Sequence, residues 1–555
     1  MTESTAAAPT SSPSVAIALA TSLVLMFAVC WREARGTGVT VDEVAYYNLA
    51  LRVRDRGDFV KFTTYGVAPL PVLAFHLPAS WFDDRPGQGL EADIYDVRPG
   101  DEKYIELARL FSAAACGAAI WGCTVLWLRR CAGAWAAVAG GLLIGASPLV
   151  LAHLSLATTD AAFTASILIG LAFADWFRRT RSRAAAWGVA GAAGVCFATK
   201  YTGAIFLPFF AWALVDPSLG GRARRAQWAW QFIKVGITAV MIGWAAHGMA
   251  MIPLRNNRTP VDQVGTGAVA RIKAMAEGIA VPAPIKGLLT QGYMASQKSR
   301  TYLAGSWSEK GWRSFYFVGI AVKSDPAEGL LLAIGLITAA ALAISAHRGS
   351  PDDFGSRLRS TMALALLLVI SLGKKQLGVR YALPLYPLLG SLAIATLWRW
   401  RAGRGLAGMM VTAHVAFLAI APAGLLSYFS PAFGGRAHGD RWLIGSDYDW
   451  GQDLGANAKW VETALKDRPL VYIGLGSPPL YAMRLTPVKS YDPATHPKAI
   501  LLTSRAELRD PKTLAGLLDV KPDATPTELS VAFDLDRPEV QKVLMDFKRQ
   551  TKGGR

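Results

Sequence analysis

An all-α polytopic membrane protein, closed at its C-terminal end by a small extracytoplasmic α/β domain, is the fold class that the sequence predicts. Three observations predict it. Hydrophobic residues make up 52% of the 555-residue chain and charged residues only 18%, against roughly a quarter charged in a soluble domain. The apolar residues fall in blocks of about 14 to 25, close to the roughly 20 that a spanning helix needs. Arginine is concentrated in short turns between those blocks: Arg129-Arg130, Arg178 to Arg183, Arg222 to Arg225, Arg348 to Arg359 and Arg399 to Arg404. Such turns are retained in the cytoplasm. The net charge of +18 therefore reads as topology, and no nucleic-acid partner is expected.

About eleven spans follow, near 15–31, 106–128, 134–153, 161–177, 184–199, 202–216, 229–252, 327–346, 361–373, 382–398 and 406–428. With the N-terminus inside, all five Arg-rich turns face the cytoplasm. Arg32 and Arg35 follow the first span on the outer side, but the loop they open runs to about residue 104, and long loops escape the rule. The first span lacks a basic n-region and a small-residue cleavage site, so it reads as a retained anchor. Residues 1–13, rich in Ser, Thr, Ala and Pro, read as a disordered tail.

The membrane domain is then 14–429, with outer loops at about 32–104 and 254–326 and a soluble outer domain at 430–555. In that domain "LVYIGLG", "AILLTS" and "LSVAFDL" read as strands among helical stretches. The spans flanking "KYTG" and the one at 361–373 are short, which suggests a wet cavity in the outer leaflet. Cys30, Cys116, Cys123, Cys131 and Cys196 form no CxxC pair and read as small buried hydrophobes. "NRTP" at Asn257 matches a glycosylation sequon that Pro260 weakens, and reads as chance.

Candidate chemistry lies at the outer ends of the spans. In "TVDEVAYYNLALRVRDRGDF", Thr40 and Glu43 fit a capping box. Val44, Tyr47 and Leu51 share a face, Gly57 ends the segment, and the whole reads as an amphipathic helix on the membrane surface. Capping explains Glu43 but does not require Asp42. Asp160, in "LAHLSLATTDAAF", opens the fourth span, where Thr158, Thr159 or Asp160 itself can cap. An acidic group at the edge of hydrocarbon also tends to mark function. His153, one helix end away, is either a hydrogen-bonded structural residue or part of a site. Six cations sit in outer turns or at outer span ends: Arg109, Lys200, Lys323, Lys374, Lys375 and Arg380. Each alone can snorkel to the interface. Together they suggest a bound anion, most naturally a lipid phosphate. A carboxylate acting as base on an acceptor hydroxyl, with cations on a departing lipid phosphate, amounts to group transfer.

Six stretches then resemble, in order, the dolichyl-phosphate-mannose protein mannosyltransferase superfamily (glycosyltransferase family 39 and its bacterial relatives, with the GT-C membrane fold). They are "DEVAYYNLALRVRDRGDF", "LAHLSLATTDAAF", "TKYTGAIFLP", "GSWSEKGWRSFYFVGIAVKSDP", "LGVRYALPLYP" and "DYDWGQDLGANAKW". The resemblance implies transfer of one sugar from a polyprenyl-phosphate carrier, outside the cytoplasm and with inversion. It implies Asp42 as the catalytic carboxylate with Glu43 beside it, and Asp160 as an acid holding acceptor, sugar or a divalent ion. Lys200, Lys323 and Arg380 are the implied contacts to the carrier phosphate. A metal, if one is used, would fall to Asp42 and Asp160. Relatives usually carry an acidic or His residue before a Pro-Pro-Leu, where this chain reads "YGVAPLPVL", so sugar and acceptor stay open: protein, lipid or polysaccharide. The Ala-, Arg- and Gly-rich usage suggests a bacterial inner membrane and an undecaprenyl-type carrier. A secondary transporter or lipid flippase is the alternative from another class, and a sensor or assembly protein a third.

The topology has a direct test. Reporter fusions at residue 440 should behave as exported and those at 220 or 402 as cytoplasmic. A cytoplasmic signal at 440 would put the number of spans off by one.

Overall fold

The computed structural model describes residues 12–85, 94–95, 98–216, 218–254, 279–297, 299–345, 351–421, 424–465, 468–474 and 490–552. Most of the tail at 1–13, the sequon at Asn257 and residues 255–278 of the second expected loop lie outside the described residues.

The apolar blocks become helices. Among the described residues, seven are long and apolar enough to cross a membrane by length and composition: Pro13–Gly36, Glu102–Cys131, Thr159–Thr180, Gly221–Ala246, Pro326–Ile344, Asp353–Leu372 and Arg401–Ile420. An eighth, Ala134–Ala146 with Pro148–Leu154, is bent by 65°. The bend has a local cause. Pro148 has no N–H to donate, and the residue before a proline is pushed out of the helical region; Ser147 sits at φ −66°, ψ 115° and caps the next turn through Val150 N at 3.4 Å. Three further apolar segments, Arg183–Thr199, Tyr201–Ala213 and Leu385–Leu397, are shorter helices. Extended backbone at Lys200, φ −156° and ψ 126°, separates the first two.

Two expectations need correction. The span expected at 361–373 is part of a 22-residue helix, Pro351–Leu372, so the Arg-rich turn before it is largely helical. Its arginines are accommodated by partners: Arg359 pairs with Asp175 at 2.9 Å and lies 4.2 Å from the Trp127 ring, and Arg357 donates to the Leu342 and Ser345 carbonyls. The helix Val41–Arg56, expected on the membrane surface, is instead buried on two sides. Val44, Tyr47 and Leu51 do share a face, packed on Tyr104 and Ile105, but Ala45, Leu49 and Ala50 pack on Phe62 and Val72. Gly57 ends the helix at φ +60°, as the sequence indicates. All five cysteines are free, in or beside the apolar helices.

The α/β unit has strands Leu470–Ile473, Ile500–Ser504 and Ser530–Asp534 in that spatial order, the first pair parallel and the second antiparallel. Its core around Val471, Leu501 and Phe533 is separate from that of the helices. The segment before it is not separate. Leu425, Phe429, Leu443, Tyr448 and Trp450 belong to the core of the helical body, so the chain from about 425 to 450 is a strap packed against that body.

Within the helical body, one buried ion pair joins the end of Pro13–Gly36, the start of Val41–Arg56, the helix Glu102–Cys131 and the loop at Ala157. Arg109 Nε and Nη2 donate to the two oxygens of Glu43 at 2.8 and 2.7 Å, with both side chains at most 2% exposed. Its other N–H groups go to carbonyls of Ala34 at 2.8 Å, Thr37 at 2.7 Å and Gly38 at 2.8 Å. An arginine has five N–H donors, and all five are used. Glu43 also accepts from Thr40 N at 3.0 Å, Thr40 Oγ1 at 2.9 Å and Ala157 N at 3.0 Å. The capping box is present, but it is the smaller part of what Glu43 does.

Removing one partner of such a pair strands a buried charge. Arg109→Ala should therefore cost about 3–5 kcal/mol. Arg109→Lys should recover little of it, because an ammonium has three donors and no planar fork. Thermal unfolding of the detergent-solubilised chain checks this, and a near-normal transition for Arg109→Ala would contradict it.

Candidate active site

Four charged residues far apart in sequence form one continuous chain. Arg380 Nη1 donates to Asp42 Oδ2 at 2.9 Å and lies 3.8 Å from Asp160 Oδ2. Lys200 Nζ donates to Asp160 Oδ1 at 2.6 Å. Each sits at an element end: Asp42 in the first turn of Val41–Arg56, Asp160 in the first turn of Thr159–Thr180, Lys200 at the break after Arg183–Thr199, and Arg380 in the 3-10 turn Val379–Ala382. Aromatic rings wall the cations, with Tyr381 3.9 Å from Lys200 Nζ and Trp450 4.1 Å from the Arg380 guanidinium. Exposure is greatest at Asp42, whose side chain is 28% exposed, against 14% for Lys200, 11% for Arg380 and 2% for Asp160. Asp42 is the open end. Asp160 is not used as a cap; the N-cap is Thr158, whose hydroxyl is buried without a partner.

The turn that carries Arg380 is held from behind. Gly378 has φ +120°, and a Cβ there would stand 2.5 Å from Ser446 Oγ, so only glycine fits this close approach. Val379 N donates to Asp447 Oδ1 at 2.8 Å. Lys323 in turn donates to the carbonyls of Asp447 at 2.6 Å and Leu426 at 2.8 Å, with its ammonium 4.4 Å from the Phe429 ring. Burial pushes the Lys323 ammonium down to about 8. Lys323 therefore supports the 447 strap rather than joining the Asp42–Lys200 chain. The same strap meets the start of the Asp42 helix, where Gly38 N and Val41 N donate to the Gln452 and Trp450 carbonyls at 2.9 and 3.2 Å.

The remaining sequence candidates fall outside this chain. Arg109 has no N–H left for a phosphate. Burial pushes the Glu43 carboxyl up, but the Arg109 charge and the hydrogen bonds more than offset this and hold it below the usual carboxylate range. Lys374 is exposed and Lys375 half-buried, neither in an ion pair among the described residues. His153 is buried with Nδ1 unpartnered. For a metal between Asp42 and Asp160, the Arg380 guanidinium already occupies the place that a bridging ion would need.

A cavity of about 380 Å³ opens beside Arg380, lined by Val41, Asp447, Asp449, Trp450, Ser504 and Glu507 among others. Asp449, Ser504 and Glu507 are missing from the sequence-level candidates. The signal for Asp449 was present in "DYDW", with its acids alternating with aromatics. Ser504 and Glu507 gave no signal, since they reach the cavity only because the α/β unit docks there. His76 was also missed. It is fully buried, its Nε2 donates to Ala157 O at 2.7 Å, and burial pushes it down to about 4. With Glu43 on Ala157 N, it fixes the loop leading to Asp160.

The nearly full length of the chain is similar to solved structures of one protein. ArnT from Cupriavidus metallidurans bound to undecaprenyl phosphate aligns at TM-score 0.49 and 16% identity over 96% of this chain and 99% of that one. The apo form of ArnT aligns at TM-score 0.46 and 17% identity over 94% and 97%. No family model matches the chain, and no curated protein matches it.

The cavity carries a titration of its own. Burial pushes the Asp449 carboxyl up to about 6 from the ordinary 3.8, while it accepts Gly451 N at 3.0 Å. The folded state thus binds the proton more tightly than the unfolded chain. The stability this gives is full below the unfolded value and is lost as pH rises through about 6. Asp449→Asn, which stays neutral, should flatten the stability profile in that window. An unchanged slope in thermal melts taken across it would show that another group titrates.

Proposed function

We propose that this chain is a membrane glycosyltransferase of the GT-C type, moving a single sugar from a polyprenyl-phosphate donor to an acceptor hydroxyl on the extracytoplasmic face. The observation that carries this reading is the Asp42–Arg380–Asp160–Lys200 chain. It sets an accessible carboxylate, with one oxygen not held by Arg380, against two cations at the outer ends of apolar helices.

Asp42 is the base. It takes the acceptor proton as the hydroxyl oxygen forms a bond to the anomeric carbon, while the bond from that carbon to the phosphate oxygen breaks. The electron pair leaves with the polyprenyl phosphate. Arg380 and Lys200, paired with carboxylates when no donor is bound, share their N–H groups with the phosphate as its charge grows. Asp160 keeps both cations in place. One base and no enzyme nucleophile produce inversion, whereas retention would need a covalent intermediate. The cavity beside Arg380 is the entry for the acceptor. Hexosyl and pentosyl donors, and protein, lipid and polysaccharide acceptors, are all compatible with these residues. An undecaprenyl-type carrier in a bacterial inner membrane remains part of the proposal, on compositional grounds. A transporter is disfavoured because its gating charges usually sit near the midplane in symmetry-related halves, and these four gather at one end of the fold.

Asp42→Asn keeps the size of the side chain and should leave the thermal transition in place. It should lower turnover by roughly 10² to 10⁴. Arg380→Ala should lower kcat/KM for the lipid donor by about 10² or more. The readouts are release of polyprenyl phosphate by the purified variants and mass spectrometry of envelope glycans from cells carrying each one. Near-normal turnover with Asp42→Asn would reduce Asp42 to a structural partner of Arg380 and move the base to Asp160.

A further inference from the structure

Away from the Asp42 chain, two helices bring a second group of ionisable side chains together in the protein interior. Asp325 is the N-cap of Pro326–Ile344, Glu328 lies in the first turn of that helix, and His414 comes from Arg401–Ile420. All three are at most 1% exposed. One ligand-type atom from each lies within 4.8 Å of the others.

The hydrogen bonds around the group determine where its lone pairs point. Asp325 Oδ1 is taken by two backbone amides, Ala327 N and Glu328 N, both at 3.0 Å, which leaves Oδ2 free to face inward. His414 Nε2 is 3.1 Å from the Leu143 carbonyl. A carbonyl only accepts, so Nε2 carries the proton and Nδ1 of the neutral ring presents a lone pair. That lone pair is in close contact with Asp325 Oδ2. Two acceptors facing each other need a cation between them, either a proton or a metal. A proton satisfies that contact but does nothing for Glu328, whose Oε2 is buried with no hydrogen-bond partner. A divalent ion answers all three lone pairs at once and balances the charge of two carboxylates, which are costly at this depth.

We infer that Asp325, Glu328 and His414 form a structural site for a divalent cation of the zinc type. The donor set of one imidazole and two carboxylates is within the repertoire of Zn²⁺. The N–H of His414 on the Leu143 carbonyl is the second contact that usually fixes the tautomer of a ligating histidine. Binding opens the His414–Asp325 contact to about 3.3 Å, the separation of two ligands at roughly 2.05 Å from a tetrahedral ion. Ser147 and Ser324 flank the Glu328 carboxylate, and a hydroxyl or a water completes the fourth position. The ion ties Pro326–Ile344 to Arg401–Ile420. It also anchors the segment that begins at Lys323, two residues before Asp325, which holds the 447 strap behind Arg380. Its role is positional. It stands apart from the sugar-transfer reading and does not depend on it.

The test uses the full chain in detergent, stripped with a chelator and then equilibrated with Zn²⁺, with bound metal read by mass spectrometry and stability by thermal unfolding. The wild-type chain should retain about one ion after removal of free metal, and its Tm should rise with the logarithm of free Zn²⁺. Glu328→Gln and His414→Asn should both lose the ion and the Tm response, while Asp42→Asn should keep them. Wild-type protein that retains no metal and shows no Tm response would overturn the site and leave a proton-bonded network. Full retention by Glu328→Gln would overturn it equally, since the ion would then be held elsewhere. Should the His414 variant fail to fold, the wild-type stoichiometry and the Glu328→Gln comparison still decide.

Discussion

The end of the helical body that carries Asp42 depends on one buried ion pair. Glu43 and Arg109 meet where four segments converge: the end of the first helix, the start of Val41–Arg56, the helix Glu102–Cys131 and the loop at Ala157. A bare charge at such a position is prohibitively costly. The pair persists because every N–H of the guanidinium and both carboxylate oxygens are satisfied. The carbonyls that Arg109 takes include Ala34, one of the last in its helix, which has no intrahelical partner. A single side chain thus ends one helix, starts another and fixes the approach to a third. Asp42, one residue before Glu43, is placed by that clamp.

A second layer of constraint holds Arg380. Lys323, Asp447 and Gly378 set its turn, and Gln452 and Trp450 tie the same strap to Gly38 and Val41. The two halves of the Asp42–Arg380 contact are therefore positioned by structures that are themselves linked through the 447–452 strap. This rigidity suits the proposed reaction, whose acceleration would come from pre-placed charge rather than from a covalent step. The four residues are arranged as alternating charges that balance in the absence of substrate, with the accessible member at the rim. On the proposed reading, a phosphate entering beside Arg380 would compete with Asp42 for the same N–H groups and so couple donor binding to release of the carboxylate.

Much of this was legible along the chain. Asp42, Asp160, Lys200 and Arg380 stand out because charged groups next to hydrocarbon are costly, and each lies at a helix end that periodicity locates. Arg109 and Lys323 carry the same sequence signal yet make different contacts. Their chemistry is that of any cation, and only their neighbours show that carbonyls and Glu43 consume them. Glu43 was readable as a cap from Thr40 three residues before it. Its pairing with Arg109, 66 residues away, has no local trace. His76, Ser504 and Glu507 gave no warning, because nothing in their surroundings along the chain marks them as neighbours of the site.

The sequence by itself determined the helical, bilayer-spanning character of the body, the approximate positions of its main apolar helices, the strands of the α/β unit and the short list of charged residues near the ends of those helices. Those properties follow from composition, period and local chemistry, which act over a few turns of chain. Only the tertiary structure decided which charges pair, which are spent on backbone and which stay open to a substrate. Pairing is a matter of a few ångströms between segments up to 338 residues apart, as for Asp42 and Arg380. In a medium of low dielectric those few ångströms separate a satisfied structural ion from a reactive one.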